Sequence, residues 1–211
     1  MLQTRREGNR ESLYSVHPGV AMVQKWVADL PEKTGWSLGE WIELVEESGP
    51  PTEQERRDWL KERYHLGTNS AWWIAERAAG KGTETDSPEA YLEAAEAYVE
   101  AMYAGAKAGL RPIYDQLLKV ALKLGKGVKA CPAKTIVPLY RQHVFAQLKP
   151  TTRTRIDLGL ALGRMRTQKR LIETGGLAKG DRLTHRIPIT TLAEIDDEVK
   201  HWLKVAYDLD A

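Results

Sequence analysis

Only one cysteine, Cys131, occurs in the 211 residues, so the chain cannot form an intrachain disulfide or a zinc site built on cysteine pairs. No apolar run approaches the roughly 20 residues that span a bilayer. The opening residues, Met1 to Glu7, lack the apolar core of a secretory signal. Both absences point to a cytoplasmic protein with no membrane partner. The five histidines, His17, His65, His143, His185 and His201, make no close ligand pair. There is no glycine-rich phosphate loop of the P-loop or dinucleotide type, and Gly175-Gly176 reads as a turn. Cys131 with His143 or His185 and Asp157 has no spacing that supports a nucleophile set, and a lone cysteine before a proline reads as structural. No metal, cofactor or catalytic site is therefore expected, and an enzymatic activity finds no residues to rest on. Phenylalanine is nearly absent: Phe145 stands alone against seven tryptophans. Six of these, Trp26, Trp36, Trp41, Trp59, Trp72 and Trp73, fall in the first 80 residues, a shift in composition that marks a domain.

What is present is charge, unevenly spread. The formal net charge is +2, but Lys126 to Thr190 holds 14 Lys and Arg against 3 Asp and Glu, a local +11. Residues 1–125 net −5 and residues 191–211 net −4. One segment thus carries a strong positive field, and its natural complement is an anionic partner.

The pattern of apolar residues divides the chain. Residues 1–17 are polar and read as a flexible arm. Residues 18–80 read as four short helices: Pro18 opens the first, Ser37 with Glu40 and Thr52 with Glu55 form capping boxes before the second and third, and Thr68 or Asn69 caps the fourth. Gly80–Asp86 reads as a linker or exposed turn, and Ser87-Pro88 starts a connecting helix that reaches about Ala108. A domain at 110–211 follows. It begins with a helix at Ile113–Leu124, and after Gly127 the period changes. Thr135–Tyr140, Val144–Lys149, Arg155–Leu162 and Thr184–Ile189 read as strands, with Pro138 suggesting an edge or a bulge. Gly163–Arg182 reads as a loop, and Thr190 or Thr191 caps a final helix. The expectation is an α+β protein: an N-terminal four-helix domain, a long connecting helix, and an antiparallel sheet of three to five strands flanked by helices.

The basic segment supplies the leading candidate site. Lys134, Arg141, Lys149, Arg153, Arg155 and Arg186 lie on or beside the expected strands, and Arg164, Arg166, Lys169, Arg170 and Arg182 crowd the loop. Arranged outward, they would track phosphates and gain affinity by counterion release, making the protein a non-enzymatic binding module for nucleic acid. Facing inward, they would be matched by the acidic segments. Aromatic residues for stacking on single strands are few, Tyr140 and Phe145. A helix–turn–helix at Thr52–Ala79 is a weaker candidate, because its first helix nets to zero charge and its second is apolar. The alternative to nucleic-acid binding is a small-molecule or protein-interaction scaffold, with a pocket between the domains lined by Trp72 or Trp73, Tyr98 and Tyr114. Adjacent Trp72 and Trp73 point about 100° apart on a helix, so one of them would be exposed or would serve a contact, either with the second domain or with a second copy of the chain in a homodimer.

Two stretches resemble known bacterial families. Lys33-Thr34-Gly35-Trp36-Ser37-Leu38-Gly39-Glu40-Trp41 and Trp59–Gly67 are similar to a small helical domain of unknown function. Ile113-Tyr114-Asp115, Ala133-Lys134-Thr135, Ile156–Leu160, Thr184-His185-Arg186 and Val205-Ala206-Tyr207 resemble an α+β domain of unknown function that follows it in an uncharacterised two-domain family. Some relatives of the second domain bear the label "predicted transport protein", and others stand behind restriction-nuclease-like domains. The chain departs from the first family at Thr68 and Asn69, where histidine and glycine are usual, and from the second at Arg141-Gln142, where a basic residue and glycine form the turn.

Overall fold

The structure, a computed structural model, describes residues 12–211. It divides into two compact units, Val16–Ala94 and Ala95–Ala211, the second taking in residues 12–15.

The first unit is helical. α1 (Pro18–Thr34) opens with proline at its first position, where no amide donor is needed, while His17 Nδ1 accepts the Gly19 N–H at 2.9 Å. It stops at Gly35, whose φ of 82° favours a residue without a Cβ. α2 (Leu38–Ser48) and α3 (Glu53–Tyr64) each start on a closed capping box: Ser37 and Glu40 exchange bonds in one, Thr52 and Glu55 in the other. α4 (Thr68–Arg77) has Gly67 as its cap, without the side-chain bond expected of Thr68 or Asn69. It packs on α2 and α3 and closes a core of Leu30, Trp41, Val45, Leu60, Ala71, Ile74 and Ala75. The stretch after it wraps around the buried Arg77, whose guanidinium donates to Asp86 Oδ1 at 2.6 Å and to the Gly82 carbonyl at 3.3 Å and lies over the Trp26 ring. Gly80–Asp86 is therefore a turn organised by one buried cation. Ser87 then caps α5 (Pro88–Met102) through the Ala90 N–H.

In the second unit a 3-10 turn (Gly105–Leu110) leads into α6 (Arg111–Leu122). Six strands follow: β1 (Lys129–Ala130), β2 (Val137–Tyr140), β3 (Val144–Pro150), β4 (Ile156–Leu160), β5 (Ile172–Glu173) and β6 (His185–Ile189). They form one antiparallel sheet in the order β1-β2-β3-β4-β6-β5, and α7 (Asp197–Leu209) ends the chain. The architecture is α+β. The central rows Leu148–Leu158–Ile187 and Pro150–Ile156–Ile189 are buried, and α6 and α7 contribute Tyr114, Leu117, Val199 and Leu203 to the same core. The alternate residues Gln147, Lys149, Asp157, Gly159 and Arg186 form the opposite face of the sheet and are none of them fully buried. Pro138 sits where β1 has ended: its carbonyl accepts from Cys131 N–H at 3.1 Å, and a register shift follows at Leu139/Tyr140.

Several details differ from the sequence pattern. β1 and β5 have two residues each, too few to show alternation, so they add edges that the pattern does not mark. Thr191 caps only a 3-10 turn (Leu192–Glu194), and Asp196 is the cap of α7, accepting from Val199 N–H at 3.2 Å. Tyr14 and Ser15, expected within a flexible arm, are fixed on the second unit: Ser15 N–H donates to the Ala130 carbonyl, and the Tyr14 hydroxyl lies 3.1 Å from that of Tyr114. The rest of that arm, residues 1–11, lies outside the described residues.

Candidate anion-binding surface

Ten of the eleven basic residues singled out in the sequence separate into two classes by their partners among the described residues; the eleventh, Lys134, belongs to neither class. Five are engaged within the second unit. Arg170 is the most tightly held: it donates to Asp196 at 2.6 Å, to Glu198 at 3.1 Å and to the Glu194 carbonyl at 3.1 Å, tying the long loop to the start of α7. Arg182 reaches the Val144 carbonyl at 2.7 Å and the carboxylate of the buried Asp210. Arg141 donates to the Tyr207 carbonyl at 3.0 Å, with its guanidinium 4.3 Å from the centre of the Tyr207 ring. Arg155 and Arg186 flank Asp157 on the open sheet face at 3.0 and 3.1 Å.

Two of these pairings reveal carboxylates that the sequence does not single out. Asp210 gathers the β2–β3 turn, accepting the N–H groups of Gln142 and His143 at 3.0 and 2.8 Å and facing the His143 ring at 3.0 Å. Burial works against its ionised form, but the bonds from His143 and the charge of Arg182 prevail and hold it below the usual carboxylate range. Asp157 accepts from Thr151 at 2.8 Å besides its two arginines.

Lys149, Arg153, Arg164, Arg166 and Lys169 are different. All five are exposed, and none enters an ion pair among the described residues. They form two groups at opposite ends of β4. Arg164, Arg166 and Lys169 lie on the loop that leaves β4. His185 anchors that loop from beneath, bonding the Met165 carbonyl through Nε2 at 2.9 Å and Thr184 Oγ1 through Nδ1 at 2.9 Å. Lys169 adopts φ 51° in the turn that swings Arg170 toward α7. A cleft of about 540 Å³ lies here, and Glu173 contributes to its lining beside Arg164 and Arg166.

At the other end, Lys149 and Arg153 line a larger cleft of about 660 Å³ with Lys134 and Lys107. Thr135 and Thr151 add hydroxyls, and no carboxylate residue among the described residues belongs to the lining. The end of α5 and residues 104–106 supply a wall of small apolar side chains. Lys107 is held by the Pro150 carbonyl at 2.8 Å. Sequence reasoning misses Lys107 because its contact with residue 150 spans 43 positions and leaves no periodic trace.

The four aromatic residues considered for a pocket or interface differ in exposure: Tyr114 is buried, Trp73 and Tyr98 are half-buried and Trp72 is exposed. Tyr114 is completely buried, stacked on Tyr103 at 4.6 Å, and burial raises its hydroxyl pKa well above the ordinary value. Trp73 stands edge-on to Trp26 at 4.8 Å, Trp72 is exposed beneath Arg57, and Tyr98 is half-buried on α5. None of the four lines either cleft. Phe145, one of the two aromatics considered for base stacking, is fully buried against Tyr207, and Tyr140 is half-buried. Cys131 is inaccessible, and burial pushes its thiol up to about 12. His143 and His185 are each committed to the contacts given above. Among the described residues, no three His, Cys, Asp or Glu side chains are grouped to hold a metal, and no helix is long and apolar enough to cross a membrane.

Comparison with known proteins agrees with this division into two parts. Residues 22–79 match the model described as "Domain of unknown function (DUF4287)", and residues 99–210 match "Domain of unknown function (DUF5655)". No curated protein and no solved structure matches the chain. The second match covers more than half of the residues and contains the whole sheet with both groups of unpaired cations, and the protein belongs to the DUF5655 family, carrying a DUF4287 domain ahead of it.

Proposed function

We propose that the C-terminal unit binds nucleic acid in the cytoplasm, through the phosphate backbone and without catalysis. The observation that carries this reading is the sorting of charge: internal carboxylates and carbonyls take Arg141, Arg155, Arg170, Arg182 and Arg186, while Lys149, Arg153, Arg164, Arg166 and Lys169 stay exposed without an acidic partner among the described residues. Cations on either side of a strand of five residues, roughly 15 Å long at 3.3 Å per residue, suit an extended polyanion better than a single small ion. Base stacking has little to use, since Phe145 is buried and Tyr207 is covered by Arg141. The expected mode is therefore duplex backbone contact with weak sequence preference.

The test is binding of a fluorescent 20-base-pair duplex across a salt series. Five phosphate contacts correspond to a log–log slope of about −4.5, a loss of roughly 500-fold between about 50 and about 200 mM salt. Replacing Arg164, Arg166 and Lys169 by alanine should weaken binding and flatten the slope by about 2.7. A parent protein with no measurable affinity at low salt, or a triple variant with unchanged slope, would refute the reading.

A further inference from the structure

The loop that leaves β4 carries an apolar feature among its cations. Met165 stands between Arg164 and Arg166 and is 38% exposed, and the exposed Leu177 borders the same cleft. The backbone of Met165 is held at both of its polar groups. Its N–H donates to the Leu162 carbonyl at 3.2 Å, across a turn through Gly163, whose φ is 59°. Its carbonyl takes the bond from His185 Nε2. A carbonyl only accepts, so in the neutral imidazole the proton is on Nε2, and Nδ1 accepts from the Thr184 hydroxyl. Thr184 Oγ1 in turn accepts the Leu162 N–H at 3.3 Å. This chain of bonds ties both ends of the turn to the buried pair Thr184 and His185. An apolar side chain is thus presented to solvent from a fixed turn, with an exposed arginine on each side that forms no ion pair among the described residues.

We infer that Met165 is a wedge that enters a base step of a bound duplex from the minor groove, with Arg164 and Arg166 lying in the groove beside it. An exposed apolar side chain gains by leaving water. The apolar surface that a duplex offers is the faces of its stacked bases, reached by partly opening a step. Proteins that bend DNA from the minor groove do this with Met, Leu, Ile, Phe or Pro, and kink the duplex by about 20–90°. A narrow minor groove has an enhanced negative potential that attracts arginine, which suits the two flanking side chains. Opening a step costs energy that a freely moving loop would forfeit in its own ordering, and the bonds from Leu162 through Thr184 and His185 to Met165 remove that cost in advance. Glu173 disfavours a phosphate seated inside the cleft, so the loop itself makes the contact. An anionic lipid surface would also accept an apolar side chain between cations. The second exposed group, Lys149 and Arg153 beyond the other end of β4, favours the elongated polyanion. The inference rests on the preceding reading that the C-terminal unit binds a duplex, and adds to backbone contact a preference for steps that open easily, such as TA.

The experiment uses the full chain and two 20-base-pair duplexes that differ only in their central sequence, a TA step in one and a stiff A-tract in the other. Dyes at the duplex ends report bending, 2-aminopurine beside the central step reports unstacking, and phosphatidylglycerol vesicles serve as the lipid probe. The expected result is that the TA duplex bends and its 2-aminopurine emission rises on binding, with a preference over the A-tract of about tenfold, one decade of affinity. Met165→Ala should abolish the emission rise and the preference while leaving the salt slope unchanged, and Met165→Leu should retain both. Arg164→Ala with Arg166→Ala should flatten the salt slope by about 1.8. The Met165 side chain is exposed and its backbone bonds do not use it, so the fold is not at risk, and an unchanged amide spectrum verifies it. If both duplexes bind equally, without bending or a rise in emission, the wedge is overturned and the nucleic-acid reading stands. If neither duplex binds, both fall, and vesicle binding that depends on Met165 would assign the loop to a lipid surface instead.

Discussion

Replacing Asp210 by alanine tests how the C-terminal unit holds its own charge. Only 5% of this residue is exposed, and its carboxylate serves two backbone donors, one imidazole and one guanidinium. Alanine leaves the Gln142 and His143 N–H groups without their buried acceptor, and leaves Arg182 without its counter-charge. A hydrogen bond to a charged group contributes about 1.5–3 kcal/mol. Arg182 is 47% exposed, so solvent screens its share strongly. The two backbone bonds dominate, and the expected loss is about 3 kcal/mol, or about 6–12 °C in the midpoint of a chain of this size. Asp210→Asn keeps one carbonyl oxygen for the backbone donors but turns an amide donor toward Arg182, and should cost about half as much. Arg182→Ala should cost about 1 kcal/mol or less.

The dependence on acidity has a definite sign. The folded pKa of Asp210 lies below its unfolded value of about 3.9, so its contribution is complete above that pH and disappears as the pH falls through the lower folded value. Calorimetric unfolding of the three variants, with amide exchange followed at Gln142 and His143, measures both the size and the location of the effect. An Asp210→Ala protein within 1 kcal/mol of the parent, or one less affected than Arg182→Ala, would show that Asp210 does not organise this turn.

Four further outcomes follow from the same structure. Arg170→Ala should destabilise the C-terminal unit by about 2 kcal/mol through loss of three bonds to the start of α7, yet leave the salt slope of nucleic-acid binding unchanged, because this side chain is already matched. Thiol titration should find Cys131 inert in the native protein and reactive after denaturation, since it is buried and its pKa is near 12. Burial lowers the His17 pKa below its ordinary value, so its acceptor role at the start of α1 is present at neutral pH and lost on acidification through the folded pKa; amide exchange at Gly19 should accelerate there, and His17→Asn should abolish that dependence. Ser37→Ala and Thr52→Ala should each destabilise the N-terminal unit by about 1 kcal/mol, measured by urea unfolding with tryptophan fluorescence.

Local patterns made much of this architecture readable in advance. Ser37 with Glu40 and Thr52 with Glu55 announce helix starts at a spacing of three residues, and both capping boxes form. Ile156, Leu158 and Leu160 alternate with polar or small residues, and those three are the buried ones in β4. Contacts between distant positions leave no such trace. Arg170 meets Glu198 across 28 positions, Arg182 meets Asp210 across 28, and His143 meets Asp210 across 67. Composition counts each of these cations toward the +11 of its segment but cannot say which of them an acid neutralises. For the same reason Lys107 stands outside the basic segment in the sequence and inside the basic cleft in the fold.

The placement of those acids changes what the charge of the segment means. Asp196, Glu198 and Asp210 all belong to the stretch 191–211 that nets −4, and each contacts an arginine of the basic segment. The acidic end of the chain is thus a structural counter-charge within the same unit, fastening the long loop and the β2–β3 turn. It does not reach Lys149, Arg153, Arg164, Arg166 or Lys169, which form no ion pair among the described residues. If the whole basic segment existed to balance the acidic helix, the exposed cations would be scattered among acids. They instead collect at the two ends of β4, one group in a cleft without a carboxylate among the described residues. That residue of charge, after internal matching is removed, is what the salt series measures.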